Sequence, residues 1–373
     1  MRIILACKPG CLLRRTARRG VRNEDGIALI IVMIVIFLLT ILAGRFAHSM
    51  KVETKLASNA NNETELEWLG RSGVEYARWM LAEQMKCGME PYDSLNQTWA
   101  GGPGGLCTTN SPLAEVQKEV HLGNGYFTWK ITDLDRRINI NSATDVVLQQ
   151  ALTQMGADPG EFPGFVGSVL DWIDPDDSTH IEGTESEFYE GQEPPYEAKN
   201  GPIDDISEML LIRGVSQDMF WGSFSTNHPA SAFQERNNRF GRNAGPPTYS
   251  TGLAEIFTPI SSGKVNVNTA SLTVLTILLG GDEISAQNII KLRAGPDGVD
   301  GTDDDLPLRN TGELVNAGIN YQGVQQLYRY ADVRSRAFQV EIEATIAGYH
   351  RTFVAILGRN SPRDIQILNF YWK

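Results

Sequence analysis

The longest uninterrupted apolar run lies near the start of the chain. From Ile27 to Ala43 the sequence reads IALIIVMIVIFLLTILA, without a charge, proline or glycine; Gly26 and Gly44 flank it and Arg45 ends it. At about 1.5 Å per residue, this run with its flanks approaches the roughly 20 residues that cross a bilayer core. A buried core helix is rarely apolar on every face, and a secretory signal would have a shorter apolar stretch followed by a cleavage site. Here the helical spacing continues instead: Leu56, Ala60, Leu66, Leu69, Gly73, Val74, Ala77 and Leu81 recur mostly three, four or seven apart. The pattern predicts one helix from 27 to about 85, apolar all round in its first half and amphipathic in its second.

The period then changes. A Gly/Pro-rich loop covers about 88–113. Strand-like stretches follow at Glu115–Leu122 and Tyr126–Asp133, split by the turn Gly123-Asn124-Gly125. Three more strands are predicted at Phe338–Ala347, His350–Leu357 and Ile365–Tyr371, with Gly348-Tyr349 turning between the first two. Val340, Ile342, Ala344 and Ile346 alternate with polar residues, so one sheet face is buried and the other wet. Between 136 and 335 the pattern is one of short helices, and it contains an echo. Arg137-Ile138-Asn139-Ile140-Asn141-Ser142-Ala143 resembles Lys264-Val265-Asn266-Val267-Asn268-Thr269-Ala270-Ser271, and each precedes an apolar helix with a Ser or Thr able to cap it. The expected architecture is α+β: a long helix, one antiparallel sheet (88–135 and 336–373) packed on it, and a large, mostly α-helical inserted domain (136–335) with two related units.

Charge gives this framework an orientation. The formal net charge is −12. Arg2, Lys8, Arg14, Arg15, Arg18, Arg19 and Arg22 all precede Gly26, against Glu24 and Asp25, so the rest of the chain is more acidic still. Only Arg45, Lys51 and Lys55 follow the apolar run closely. The positive-inside rule therefore keeps the N-terminus in the cytoplasm and sends everything after about 45 outward. Cys7 and Cys11 stay on the reducing side, whereas Cys87 and Cys107 are exported and free to pair across the flexible Gly101–Gly105 stretch. Two unrelated, partly buried thiols are the other reading.

Two acidic stretches are the candidate chemistry. The first comprises Asp171, Asp174, Asp176, Asp177, Glu182 and Glu185; the second comprises Asp297, Asp300, Asp303, Asp304 and Asp305. Like charges this close must be spread into solvent or neutralised by a cation, and hard oxygen ligands on a bent backbone suit Ca²⁺. The second stretch lacks the spacing of an EF-hand. His180 beside the first reads as a surface residue. Paired carboxylates also serve glycosidases, but nothing here favours that chemistry. There is no Gly-x-Ser-x-Gly, His-Glu-x-x-His or P-loop, and the histidines are scattered, so no catalytic residues are expected. The paired Asn-x-Asn units are similar to helix-hairpin-helix modules, some of which bind DNA. Their acidic surroundings argue against nucleic acid, because phosphate contacts need Lys or Arg.

The ordered set of motifs resembles a known family. The basic leader ending in Gly26, the apolar helix and Arg71-Ser72-Gly73-Val74-Glu75-Tyr76-Ala77 resemble a type IV prepilin-like protein. Arg137–Asn141, Asp171-Trp172-Ile173-Asp174, Tyr196 with Ile206-Ser207-Glu208-Met209, and Val265–Ala270 then resemble the type II secretion minor pseudopilin K family, over nearly the whole chain. The resemblance implies a leader at 1–26, cut between Gly26 and Ile27 by the prepilin peptidase, with N-methylation of Ile27. It implies a membrane-spanning half of the helix at 27–44, a periplasmic half at 45–87, and a pseudopilin fold with a calcium site in its helical insertion. It further implies assembly with minor pseudopilins I and J at the tip of an inner-membrane-anchored, periplasmic pseudopilus that helps export folded proteins.

Two residues depart from the prepilin pattern. Ile31 is the fifth residue after Gly26, where most pilins carry Glu; its absence is usual for the K subunit. A subunit with nothing above it needs no carboxylate for a neighbour's amine, and an unpaired one would be costly in lipid. Asp25 precedes Gly26, where a basic residue is commoner.

The rival readings are a minor pilin or adhesin of a type IV pilus, a membrane-tethered DNA-binding protein of DNA uptake, and an exported enzyme. Intact-mass analysis of the membrane-extracted protein is expected to give a chain beginning at methylated Ile27; a chain beginning at Met1 and soluble in the cytosol would remove the prepilin reading.

Overall fold

The computed structural model describes residues 24–108, 111–222 and 249–373. Residues 1–23 of the basic leader, with both of its cysteines, lie outside these residues, as does His228. The chain divides into two bodies, one ending at Glu63 and the other running Thr64–Lys373. Helix α1, Glu24–Lys86, is continuous through the boundary and starts before Ile27. In the first body its apolar residues from Ile27 to Leu42 are exposed, and this is the one helix among the described residues long and apolar enough to cross a membrane. Burial cannot account for so apolar a surface; a lipid environment can.

In the second body the helix becomes one wall of a core. Leu66, Leu69, Val74, Ala77, Met80 and Leu81 pack against a five-stranded antiparallel sheet of order β1-β2-β7-β8-β9. The ladder comprises β1 (Glu119–Leu122), β2 (Gly125–Asp133), β7 (Ala337–Ile346), β8 (Tyr349–Ser361) and β9 (Asp364–Trp372). Phe338, Val340, Ile342, Ala344 and Ile346 all face the core, as their period of two requires. Helix and sheet approach so closely that a Cβ on Gly73 would sit 2.6 Å from the Ile342 side chain, and one on Gly70 would collide with the Phe353 ring. Cys87 and Cys107 form a disulfide, closing the loop after the helix.

Two details differ from the expected strands. β1 starts at Glu119 because Pro112–Glu115 forms a 3-10 turn capped by the Ser111 hydroxyl, which accepts from Leu113 N at 3.1 Å. The turn after β7 is Ala347-Gly348, one residue earlier than the composition suggested. Both residues hold positive φ, 49° and 83°, and Ile346 pairs with Tyr349 across it. That is the two-residue geometry whose twist matches its strands.

The insertion leaves the sheet after β2 and returns at β7, and the two strands are paired, with Asp133 opposite Phe338. It has its own core, into which Ile140, Leu148, Leu152, Trp172, Phe220, Phe257, Val267 and Leu275 are buried. Its helices are α2 (Asp145–Met155), α3 (Phe162–Ile173), α4 (Ser186–Glu190), α5 (Gln217–Trp221), α6 (Leu253–Ile256), α7 (Leu272–Leu278), α8 (Glu283–Arg293) and α9 (Tyr321–Leu327). Short parallel pairs tie it together: β3 (Ile138–Asn139) with β4 (Phe257–Thr258), and β5 (Val265–Asn266) with β6 (Ala331–Asp332). Ser271 caps α7, accepting from Val274 N at 3.3 Å, whereas Thr144 makes no such bond at the start of α2.

Where the insertion joins the sheet, carboxylates are buried. The Asp133 carboxylate accepts from Ser335 Oγ (2.6 Å), Thr269 Oγ1 (2.5 Å) and Asp135 N (2.8 Å). Asp135 accepts from Ser262 N (2.6 Å) and Arg336 N (2.5 Å). Asp93 binds Ser335 N at 2.9 Å and forms a buried ion pair with Arg359. Burial first, then the neighbouring Asp135 charge, pushes Asp133 up to about 7 from an ordinary 3.8. Between those values the folded chain holds a proton that the unfolded chain has released. The group's stabilising contribution is therefore full at the acid end and is lost as pH rises toward 7. Urea midpoints at pH 5 and pH 7.5 are expected to show Asp133→Asn with a shallower fall in stability than the parent, by roughly 1–4 kcal/mol; equal slopes would place the titration elsewhere.

Candidate functional site

The first acidic stretch is built on the end of α3. That helix turns Trp172 into the insertion core and, at the same level, buries the Asp171 carboxylate completely. Asp171 is satisfied by the loop that follows: Oδ1 accepts from His180 N at 2.8 Å and contacts His180 Nδ1 at 2.6 Å, while Oδ2 accepts from Thr184 N. Asp174 Oδ2 lies 3.6 Å from His180 Nδ1. Asp171, Asp174 and His180 thus present ligand-type atoms within 4.8 Å of one another. Asp176 Oδ1 accepts from Ser178 N at 2.8 Å, and Asp177 Oδ1 accepts from Asn200 Nδ2 at 2.8 Å. Glu182 is exposed with φ 56°.

The same loop holds acceptors that nothing satisfies. Asp174 Oδ1, both Glu185 carboxylate oxygens and Asn200 Oδ1 are buried without a hydrogen-bond donor. A buried, unpaired acceptor costs about 1–3 kcal/mol, more when charged. Electrostatics registers the same excess. Burial, then Asp176, raises Asp174, and burial, then Asp171, raises Glu185. The hydrogen bond to Asp171 raises His180 above the usual imidazole value. Four hard oxygens lacking donors, in a region of converging negative charge, suit a cation with oxygen ligands.

The second stretch, after α8, is arranged differently. Asp300 is held by buried Arg293, with Nε at 2.9 Å and Nη2 at 2.6 Å, while Arg293 Nη1 donates to the Val267 and Ala270 carbonyls. Asp297 Oδ1 accepts from Val299 N, Asp304 Oδ2 from Asp297 N, and Asp305 Oδ2 from Gly301 N, at 2.8, 3.0 and 2.8 Å. Asp303 lines a cleft of about 740 Å³ shared with Glu90, Tyr92 and Arg309. Here loop N–H groups and an arginine already meet the charge.

The paired Asn-x-Asn units hold both loops. Asn139 Oδ1 accepts from Asn141 N at 2.9 Å, and Asn266 Oδ1 from Asn268 N at 3.0 Å. The second Asn of each unit then clasps one distant residue through both amide atoms. Asn141 binds Ile203 O and N at 2.9 and 2.7 Å; Asn268 binds Leu308 O and N at 2.9 Å each. Ile203 closes the first acidic loop and Leu308 the second. The echo is a fastening repeated twice, with the amide of the second Asn spent on protein backbone.

Two participants were not legible as site residues. His180, which reads as a surface residue, is 43% exposed yet bound to Asp171. Asn200 carries no charge, and only its position in the folded loop brings it to the carboxylates. Of the processing residues, Gly26 and Ile27 both fall within α1, and the Ile27 side chain is exposed.

A family profile described as "Type II secretion system (T2SS), protein K" matches residues 130–221, spanning the end of β2 and the first acidic loop. The type II secretion system protein K of Pseudomonas aeruginosa is 24% identical over 93% of this chain and 92% of its own length. Its namesake in Klebsiella pneumoniae is 22% identical over 53% of this chain and 60% of its own length. The chain is thus similar to type II secretion protein K over most of its length. Its fold is also similar to a chain in the crystal structure of the GspK–GspI–GspJ complex from the enterotoxigenic Escherichia coli type 2 secretion system. That likeness has a TM-score of 0.59 and 18% identity, covering 85% of this chain and 99% of that one. The protein K fold thus accounts for the helix, the sheet and the interrupting helical domain together.

Proposed function

We propose that this chain is the minor pseudopilin at the tip of a type II secretion pseudopilus, needed to assemble that fibre and to export folded proteins from the periplasm across the outer membrane. The observation that carries the reading is the joint one: a helix apolar enough to span a membrane continues into a helix–sheet body, and that body is interrupted by the insertion in which the protein K match mostly lies. The N-terminus stays in the cytoplasm, the helix is anchored in the inner membrane, and the acidic bulk is periplasmic, where the Cys87–Cys107 bridge is stable. The prepilin peptidase acts between Gly26 and Ile27. The work is mechanical and recognitional, so no catalytic group and no nucleic acid enter it. The match within the insertion favours this over a type IV pilus adhesin. Full-length chain co-expressed with subunits I and J of the same secretion system is expected to co-purify with both from detergent-solubilised membranes; recovery of this chain alone overturns the assignment.

The first acidic loop serves as a structural Ca²⁺ site. Asp174, Glu185 and Asn200 would hold the ion through the oxygens that lack donors, with Asp177 beside them. The ion would supply the positive charge that Asp174 and Glu185 lack, Asp171 being already bound by His180 and Thr184. The 297–305 stretch is the second, weaker candidate, because Arg293 already offsets Asp300. Melting of the full chain in detergent is expected to rise by several degrees with millimolar calcium over chelator, as binding to the folded state alone requires. Glu185→Gln is expected to abolish most of that rise; equal melting temperatures for the parent in both buffers would exclude the ion.

A further inference from the structure

The two edges of the sheet are built differently. β1 is four residues long and carries the Glu119–His121 contact at 2.9 Å. Short, charged edges resist pairing with another chain. β9 is nine residues long and is the terminal strand on the other side, so its outer row of N–H and C=O groups has no strand partner among the described residues. No charge interrupts it between Asp364 and Lys373. Ile367, Leu368 and Trp372 are 43%, 54% and 63% exposed.

The apolar strip continues onto α1. The Arg71 guanidinium lies 5.3 Å from the Phe370 ring and 6.0 Å from the ring of Trp68, which is 66% exposed. At the far end of the strand, Arg351 lies 4.8 Å from the Trp372 ring. Aromatic rings framed by arginine are the side chains that most often anchor protein interfaces. The border of the strip carries Arg71, Arg351, Arg363 and Lys373, with Asp364 at the start of the strand, in a chain whose formal net charge is −12. Glu67 pairs with Arg71 at 2.8 Å and Glu341 lies 3.7 Å from Lys373. An occupant bringing carboxylates would match the arginines of this border.

We propose that the open β9 edge, with the Trp68–Arg71 strip beside it, receives an extended, acid-bearing strand from a different subunit of the pseudopilus, added to the sheet as a further strand. This rests on the pseudopilus reading and adds to it the surface that is used. The occupant's backbone fills the free ladder, its apolar side chains cover Ile367 and Trp372, and its carboxylates face the arginines.

The test is hydrogen exchange on the full-length chain in detergent, alone and in the complex recovered after co-expression with subunits I and J. Amides of β9 are expected to slow at least tenfold in the complex while those of β1 are unchanged. Ile367→Asp and Trp372→Asp, at exposed positions, are expected to cut partner recovery at least fivefold without lowering the melting temperature. Ile367→Lys, which keeps the sign of the border, should cut it less. A cysteine placed by Asn369→Cys should cross-link to the partner. A complex in which β9 exchange is unchanged, or a cross-link joining two copies of this chain, overturns the edge proposal while the pseudopilus reading stands. Failure of the parent chain to form any complex removes both.

Discussion

The structure depends on how the sheet tolerates being opened. β2 and β7 are neighbours in the ladder, yet an entire helical domain is spliced between their ends, with Asp133 and Phe338 still paired at the junction. Backbone that turns away from a ladder loses its partners and must find others. Asp93, Asp133 and Asp135 supply them, accepting from backbone N–H groups of Ser335, Arg336, Ser262 and Asp135 itself. Arg359 offsets one of the buried charges from β8. Groups so tied cannot be removed singly without stranding another in a low-dielectric interior. The joint thus fixes where the insertion leaves the sheet and where it returns.

Within the insertion the same economy recurs. In each Asn-x-Asn unit the first Asn accepts from the second, and the second makes two bonds to the backbone of a single remote residue, Ile203 or Leu308. Those two residues lie beyond the ends of the two acidic stretches. An amide can donate and accept at once, so one Asn clasps a peptide unit as a neighbouring strand would. This explains a motif occurring twice, and why its likeness to a phosphate-binding module does not extend to its surroundings.

The two acidic stretches share a composition and diverge in what balances it. Around Asp300 a guanidinium and loop N–H groups already meet the carboxylates. Around Asp174 and Glu185 four acceptors are left without donors. Rigidity of the domain is what such a site can contribute. The contrast at the sheet edges follows similar logic, with one edge short and charged and the other long, apolar and bordered by arginine.

The sequence by itself determined the elements whose cause is local. An all-apolar run, a change of period from 3.6 to 2, and a basic leader before an acidic remainder need no knowledge of neighbours, and so the long helix, the sheet face of Val340, Ile342, Ala344 and Ile346, and the membrane orientation were legible. The Asn echo was legible as a repeat and not as a clasp. What only the tertiary structure decided were the facts that depend on distance between remote segments: that Cys87 meets Cys107, that Arg293 rather than solvent faces Asp300, and that the exposed His180 reaches Asp171. Uncharged Asn200 joins the first acidic loop for the same reason. Charge and periodicity are written along the chain, but which buried acceptor finds a donor depends on where the backbone of another segment passes, and that is settled only when the cores close.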